Sequence, residues 1–357
     1  MYSPAVRICY LGDANVQVRR ISEHFASRGH EVHLVTARPA PIAGVTVHHF
    51  SGGSLARRAA FVLGIPQARR HVAGIRPDVI HVFYATSYGL VSSFIAGPPV
   101  VLSPMGTDVL ISSKESRTAR FMVRRAIARA DLILSVAGHI SRRVIELGAD
   151  PARVETFPRG VDLGRFTYRP RPPGGQAVIL SNRRLEPVYN IDQLIRAAPL
   201  VLRSHPEARF VIYGEGFLRQ ELETLAAACG VAGSVDFRGA IDHDQVPPAL
   251  SGGDIYVSCS RSDGTSACLL EAMATGLYPI VSDIEANRDW IQNNGNGALV
   301  PLDDPEALSK ALLEALDSPD GRRRAAERNR VIVERRASWE VNMNRIERAY
   351  GNLVESV

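Results

Sequence analysis

The sequence predicts two doubly wound α/β domains in tandem, and three observations predict it. Short, β-branched apolar runs alternate with amphipathic stretches almost throughout, the pattern of parallel sheets covered by helices on both faces. A chain of 357 residues has room for two domains of ordinary size. The alternation breaks once, at Tyr168–Gly175, whose YRPRPPGG composition marks an extended linker. The expected domains are therefore 1–168 and 169–338, followed by a helical segment, 339–357.

Taken in order, strands are expected near Val6–Leu11, Glu31–Thr36, Val45–Phe50, Asp78–Phe83, Pro99–Leu102, Asp131–Val136 and Val154–Phe157. After the linker they are expected at Ala177–Ser181, Arg209–Tyr213, Val235–Arg238, Ile255–Ser258 and Pro279–Ser282. In the first helix Ile21, Phe25 and Ala26 share a face, and Gly29 stands where a terminating glycine belongs. Further helices are expected near Ile191–Val201, Leu218–Cys229, Ser266–Thr275 and Pro305–Leu316, with Asp304-Pro305 a cap and first-turn pair. The tail Arg322–Val354 reads as wholly helical. Ligands of such sheets bind beyond the carboxyl ends of strands, so the expected site is a cleft between the two domains.

Composition excludes several classes. Apolar residues make 45% of the chain and charged residues 22%, which argues against bulk disorder. No apolar run reaches the length of a membrane span, and the N-terminus lacks a secretory-leader pattern. Four cysteines, Cys9, Cys229, Cys259 and Cys268, form no closely spaced pair; a reducing cytoplasm is expected, without a zinc or disulfide framework. The turn after the first strand, Gly12-Asp13-Ala14-Asn15, is not a dinucleotide fingerprint. There is no P-loop, no hydrolase elbow and no metal-ligand spacing, and no metal is expected. Aromatics do not interleave with basic clusters, which argues against nucleic acid.

The chemistry concentrates in Ser258–Asp283. A strand runs into a polar turn, Ser260-Arg261-Ser262-Asp263-Gly264-Thr265-Ser266, and then into a helix. Free N–H groups at a helix start, with the positive end of the helix dipole, suit a phosphate. Glu271 lies inside Leu269-Leu270-Glu271-Ala272-Met273, where a carboxylate is expected to be largely buried and therefore partnered. One reading is a bridge to a neighbouring arginine. The other is a double acceptor for a vicinal diol such as a nucleotide ribose.

The run Asp263-Gly264-Thr265-Ser266 followed by Leu269-Leu270-Glu271-Ala272-Met273-Ala274 and Gly276 resembles the signature of retaining, nucleotide-sugar-dependent glycosyltransferases of family 4, which have the two-domain GT-B fold. The family's E-x7-E is here Asp263-x7-Glu271. The resemblance extends along the chain through Arg28-Gly29-His30-Glu31-Val32, Phe157-Pro158-Arg159-Gly160-Val161-Asp162, Ser181-Asn182-Arg183-Arg184-Leu185, Tyr213-Gly214-Glu215-Gly216, Phe237-Arg238-Gly239 and Asn296-Gly297.

The resemblance implies a role for each of these positions. By it, Glu271 binds the donor ribose, and Asp263 lies by the donor sugar. Gly264, Thr265, Ser266, Ala267 and Leu270 line the sugar and phosphates, with Gly214 beside them. Gly12 admits a phosphate, Arg183 or Arg184 pairs with the diphosphate, and the base lies near Ile241. Asp263 and Arg183 are the implied catalytic residues. The implied donor is a UDP-sugar, with no other cofactor. The final helix returns to the first domain through Trp339 and Tyr350. Three positions depart from the family pattern: Asp263 is shorter than Glu, Tyr189 stands where a phosphate-binding lysine is expected, and Met105 in Met105-Gly106-Thr107-Asp108 replaces a histidine that touches the donor sugar. Met105, Gly106 and Asp108 are expected on the donor-sugar or acceptor side. The rival readings are a GT-B-fold epimerase and a non-catalytic sugar-nucleotide-binding protein.

Charge divides unevenly. Residues 1–170 carry 22 Lys+Arg against 11 Asp+Glu, and residues 171–357 carry 20 against 26. Arg57, Arg58, Arg69, Arg70, Lys114 and Arg117–Arg129 make the first half basic; one reading is a solvated helix face, the other a lipid-linked, anionic acceptor or weak docking on an anionic membrane.

Overall fold

The computed structural model describes residues 5–51, 61–169 and 175–356. It divides into two compact units, Met1–Pro158 with Val341–Val357, and Arg159–Glu340. The boundary precedes the one placed after residue 168. Phe166 is fully buried, and the Val161 N–H donates to the Ala337 carbonyl, so this stretch belongs to the second unit. Most of the proline-rich linker, residues 170–174, lies outside the described residues, as do Arg57 and Arg58.

The first unit holds seven parallel strands: β1 Arg7–Leu11, β2 Glu31–Thr36, β3 Val45–His49, β4 Val79–Phe83, β5 Val100–Ser103, β6 Leu132–Ser135 and β7 Val154–Thr156. Their order is β3-β2-β1-β4-β5-β6-β7. The winding across the sheet therefore reverses between β1 and β4. One face buries Cys9, Leu11, Ile80, Val82, Val100 and Leu102 against helices. On the other, Tyr10, His81 and Phe83 lie beside Phe25 and Tyr350. His81 is a core histidine, hydrogen-bonded to the Tyr350 hydroxyl and, at 2.8 Å, to Ser103 Oγ.

The second unit repeats the plan with β8 Val178–Ser181, β9 Arg209–Tyr213, β10 Val235–Gly239, β11 Ile255–Ser258, β12 Tyr278–Ser282 and β13 Ala298–Val300. The order is β10-β9-β8-β11-β12-β13, all parallel. Successive residues serve opposite cores: Ile179, Phe210, Ile212 and Ile255 pack on one face, Leu180, Val211, Tyr213 and Tyr256 on the other. This two-sided burial explains why the strands read as unbroken apolar runs. The edge strand β13 is an addition to the expected set; three residues carry no period.

The tail is not one helix. It splits into Pro319–Arg336 and Trp339–Glu355, interrupted where Ala337 and Ser338 pair with Val161. The second helix is tied to the first unit by Glu347, which meets Arg28 at 2.8 Å and His30 at 3.0 Å, and by the buried Tyr350.

Candidate active site

The second unit reverses its winding between β8 and β11, and ligands of such sheets bind beyond the carboxyl ends of the strands flanking that reversal. Two loops leave the sheet there, 182–190 after β8 and 259–266 after β11. Helix Ala267–Thr275 follows the second loop.

Ser266 caps this helix, its Oγ accepting from the Leu269 N–H at 3.3 Å. The Leu270 N–H donates to the Ser266 carbonyl, so the helix start presents the first-turn N–H groups of Ala267 and Cys268. The N–H of Leu270 is bonded within the helix and its side chain lies in the core. Glu271, one turn on, is buried as expected.

Arg183 lies beneath the Asp263 turn with 6% of its side chain exposed. Its Nη2 donates to both Asp263 oxygens at 2.9 Å, and its Nη1 donates to Ser266 Oγ at 2.8 Å. Tyr189 offers its ring to the guanidinium, 4.4 Å from its centroid. Burial is the largest single influence on Arg183 and opposes its charge, yet Asp263 together with Cys268, Tyr256 and Tyr189 outweighs it and holds the guanidinium's pKa above the ordinary arginine value. Burial also raises the Tyr189 phenol. The aromatic ring at position 189 thus supports a cation carried by another residue. Arg184 turns outward, 70% exposed, and pairs with Glu186 at 2.5 Å.

A second clamp fixes the same turn. Arg261 grips Asp303 through both nitrogens, at 2.6 and 2.5 Å, and donates to Asn190 Oδ1 at 2.8 Å. Its backbone N–H donates to the Val188 carbonyl. Sequence reasoning misses this clamp, because it joins segments far apart in the chain and no local pattern marks it. Gly214 has φ +139, and a Cβ there would stand 2.1 Å from the Arg183 carbonyl. Its observed work is to let the chain leaving β9 pass beneath the arginine loop. Ile241 is half-buried against the neighbouring core.

In the first unit, the missing Cβ of Gly12 faces Phe83 and Val18 at 3.2–3.4 Å, so tight packing also favours glycine there. Asp108 is buried and accepts backbone N–H groups from Ala85 at 2.6 Å and from Met105 and Val109 at 3.1 Å. Burial raises its pKa, and those bonds oppose the rise. Asp108 organises the loop holding Met105 and Gly106. Trp290 is packed in the core under Arg336, 4.4 Å from its ring. Among the described residues no group of three or more His, Cys, Asp or Glu side chains converges as a metal site.

Residues 14–165 match the model described as Glycosyltransferase Family 4, and residues 168–331 the model of Glycosyl transferases group 1. A GDP-mannose-dependent monoacylated α-(1-6)-phosphatidylinositol monomannoside mannosyltransferase of Corynebacterium glutamicum is 27% identical over 68% of this chain and 66% of its own length. The phosphatidyl-myo-inositol mannosyltransferase of Mycobacterium tuberculosis is 27% identical over 97% of this chain and 94% of its own. Among solved structures, Anabaena Alr3699/HepE in complex with UDP superposes with a TM-score of 0.81 at 17% identity, over 97% of this chain and all of the other. Two parallel doubly wound units, each matched by a glycosyltransferase family model, place the chain among the GT-B-fold glycosyltransferases, enzymes that use nucleotide-sugar donors.

Proposed function

We propose that the chain is a retaining transferase that moves a sugar from a nucleoside-diphosphate sugar, a UDP-sugar in the first instance, to a hydroxyl of a glycolipid or lipid-linked glycan. The observation that carries this reading is the convergence, at the winding reversal of the second unit, of a helix start, a buried guanidinium–carboxylate pair and the buried Glu271.

The chemistry is that of those groups. First-turn N–H groups and arginines neutralise charge that grows on the departing diphosphate. Both oxygens of Glu271 accept from the ribose hydroxyls, and Asp263 accepts from the sugar. The same-face reaction needs no enzymic nucleophile: the acceptor oxygen bonds to the anomeric carbon, the bond to the diphosphate breaks, and the diphosphate takes the acceptor's proton.

Relatives acting on phosphatidylinositol species support an anionic, lipid-linked acceptor. Helix Arg117–Arg129 supports contact with the inner face of a membrane. Arg117, Arg120, Phe121, Arg124 and Arg125 are exposed on it, while Val123, Ala126 and Ile127 face the core.

The test is turnover of UDP- and GDP-linked sugars with a phosphatidylinositol acceptor, with donor binding followed by calorimetry. Glu271→Ala is expected to abolish donor binding while the protein stays folded. Wild-type affinity in that variant refutes the ribose assignment.

A further inference from the structure

We infer that Asp263 is a latch on Arg183: the carboxylate and the donor's diphosphate compete for one guanidinium, and nucleotide binding releases the carboxylate to the sugar. This rests on the reading of the site as a nucleotide-sugar pocket.

The pair is arranged for exchange. Arg183 carries 6% side-chain exposure and Asp263 15%, so the carboxylate is the more accessible partner. One Arg183 nitrogen makes both bonds to Asp263, and the other is spent on Ser266 Oγ. An anion that takes Nη2 at the helix start therefore displaces the carboxylate. A guanidinium fork fits phosphate and carboxylate alike. Exchanging one anion for another keeps the more deeply buried guanidinium paired, and an unpaired buried charge is what makes opening a buried pair costly.

Spare hydrogen-bonding capacity lies at the same place. Ser181 Oγ, Asn182 Oδ1 and Arg183 Nε are buried and have no hydrogen-bond partner among the described residues. Three consecutive residues at the end of β8 thus hold unused donors and acceptors beside the pair. The guanidinium stays in place when the carboxylate leaves, because Tyr189 covers its face and Ser266 holds Nη1. The turn is pinned on both sides of Asp263, by Arg261 before it and the Ser266 cap after it. Release then acts on the short Asp263 side chain beside Gly264, in a turn held on both sides.

The latch predicts a gain where a plain structural pair predicts a loss. UDP, GDP and inorganic pyrophosphate are titrated calorimetrically into wild type, Asp263→Asn, Arg183→Lys and the double variant. Asp263→Asn is expected to bind these anions roughly tenfold more tightly, the scale of a freed charge-assisted hydrogen bond. Its sugar transfer is expected to fall by about 100-fold. The gain disappears in the double variant. Equal or weaker anion binding by folded Asp263→Asn overturns the latch. If that variant does not fold, a crystal structure of wild type with UDP or GDP decides: separation of Asp263 from Arg183 supports the latch, and an intact bidentate pair overturns it. Wild type that transfers sugar while Asp263→Asn shows no gain sinks the latch alone. Wild type that binds no nucleotide sinks the reading of the pocket as well.

Discussion

Cys9 and Cys259 show how far a residue's surroundings override its intrinsic chemistry. Both are fully buried, and burial pushes each thiol up to about 12. Thiolate is the reactive form, so neither is expected to react with iodoacetamide at pH 8 in the native protein, while both react fully in denaturant. Intact-protein mass spectrometry reads the difference; native labelling at either site contradicts the packing. The sign of the linked pH effect is also fixed. Above the ordinary thiol pKa the unfolded chain has lost protons that the fold retains, so stability falls as pH rises towards 12.

At the same scale, that Asp263, Ser266 and Glu271 lie close together was readable because one contiguous stretch carries them. The stacking of Tyr189 on Arg183 was not. It joins a turn and a strand end through space, and a phenol in place of an ammonium gives no hint of which cation it will serve. Neighbourhood in sequence does not tell a helix's free N–H groups from those already bonded, as that of Leu270 is.

Single elements explain most of the remaining agreement and disagreement. Strands buried on both faces announce themselves, and twelve of the thirteen found were expected close to their observed positions. The exception, Ala298–Val300, is too short for a pattern. The interruption at Ala337 and Ser338 was hidden because what breaks the helix is pairing with Val161, a tertiary contact. Helix Arg117–Arg129 was legible as mixed apolar and basic; the structure adds which face is which. Arg125 stacks over Phe94 at 5.4 Å, and Phe121, 59% exposed, extends the same helix outward. On the membrane reading, the protein is expected to co-sediment with vesicles containing phosphatidylserine or phosphatidylinositol and to leave them at high salt. Replacing Arg124 and Arg125 by Ser should weaken binding by roughly 1 kcal/mol per charge. No difference between anionic and neutral vesicles would remove the membrane from the proposal.

For the whole molecule, the two units were legible from length and alternation; their boundary was not, because the Val161–Ala337 pairing joins residues far apart in sequence. The first unit is completed by Glu347, which holds Arg28 and His30 at once and is itself buried. Glu347→Ala leaves that guanidinium and imidazole without their carboxylate, at an expected loss of about 3 kcal/mol. Differential scanning calorimetry is expected to show a lower melting temperature than wild type; an unchanged one would contradict this role of the carboxylate.

The Glu347 carboxylate bears on biosynthesis. His30 and Glu347 are 317 positions apart, and Tyr10 and Tyr350 are 340 apart. A nascent chain ordinarily folds its leading domain while the rest is still being made. Here the Tyr10–His81–Phe83 face of the leading sheet has the helix Val16–Ser27 to pack on it early, but it lacks Tyr350 until the whole second unit has been translated. The second unit, contiguous from Arg159 to Glu340, has no such wait and can reach its native state first. During synthesis, the part of that face that Tyr350 will cover is the surface a chaperone would have to shield.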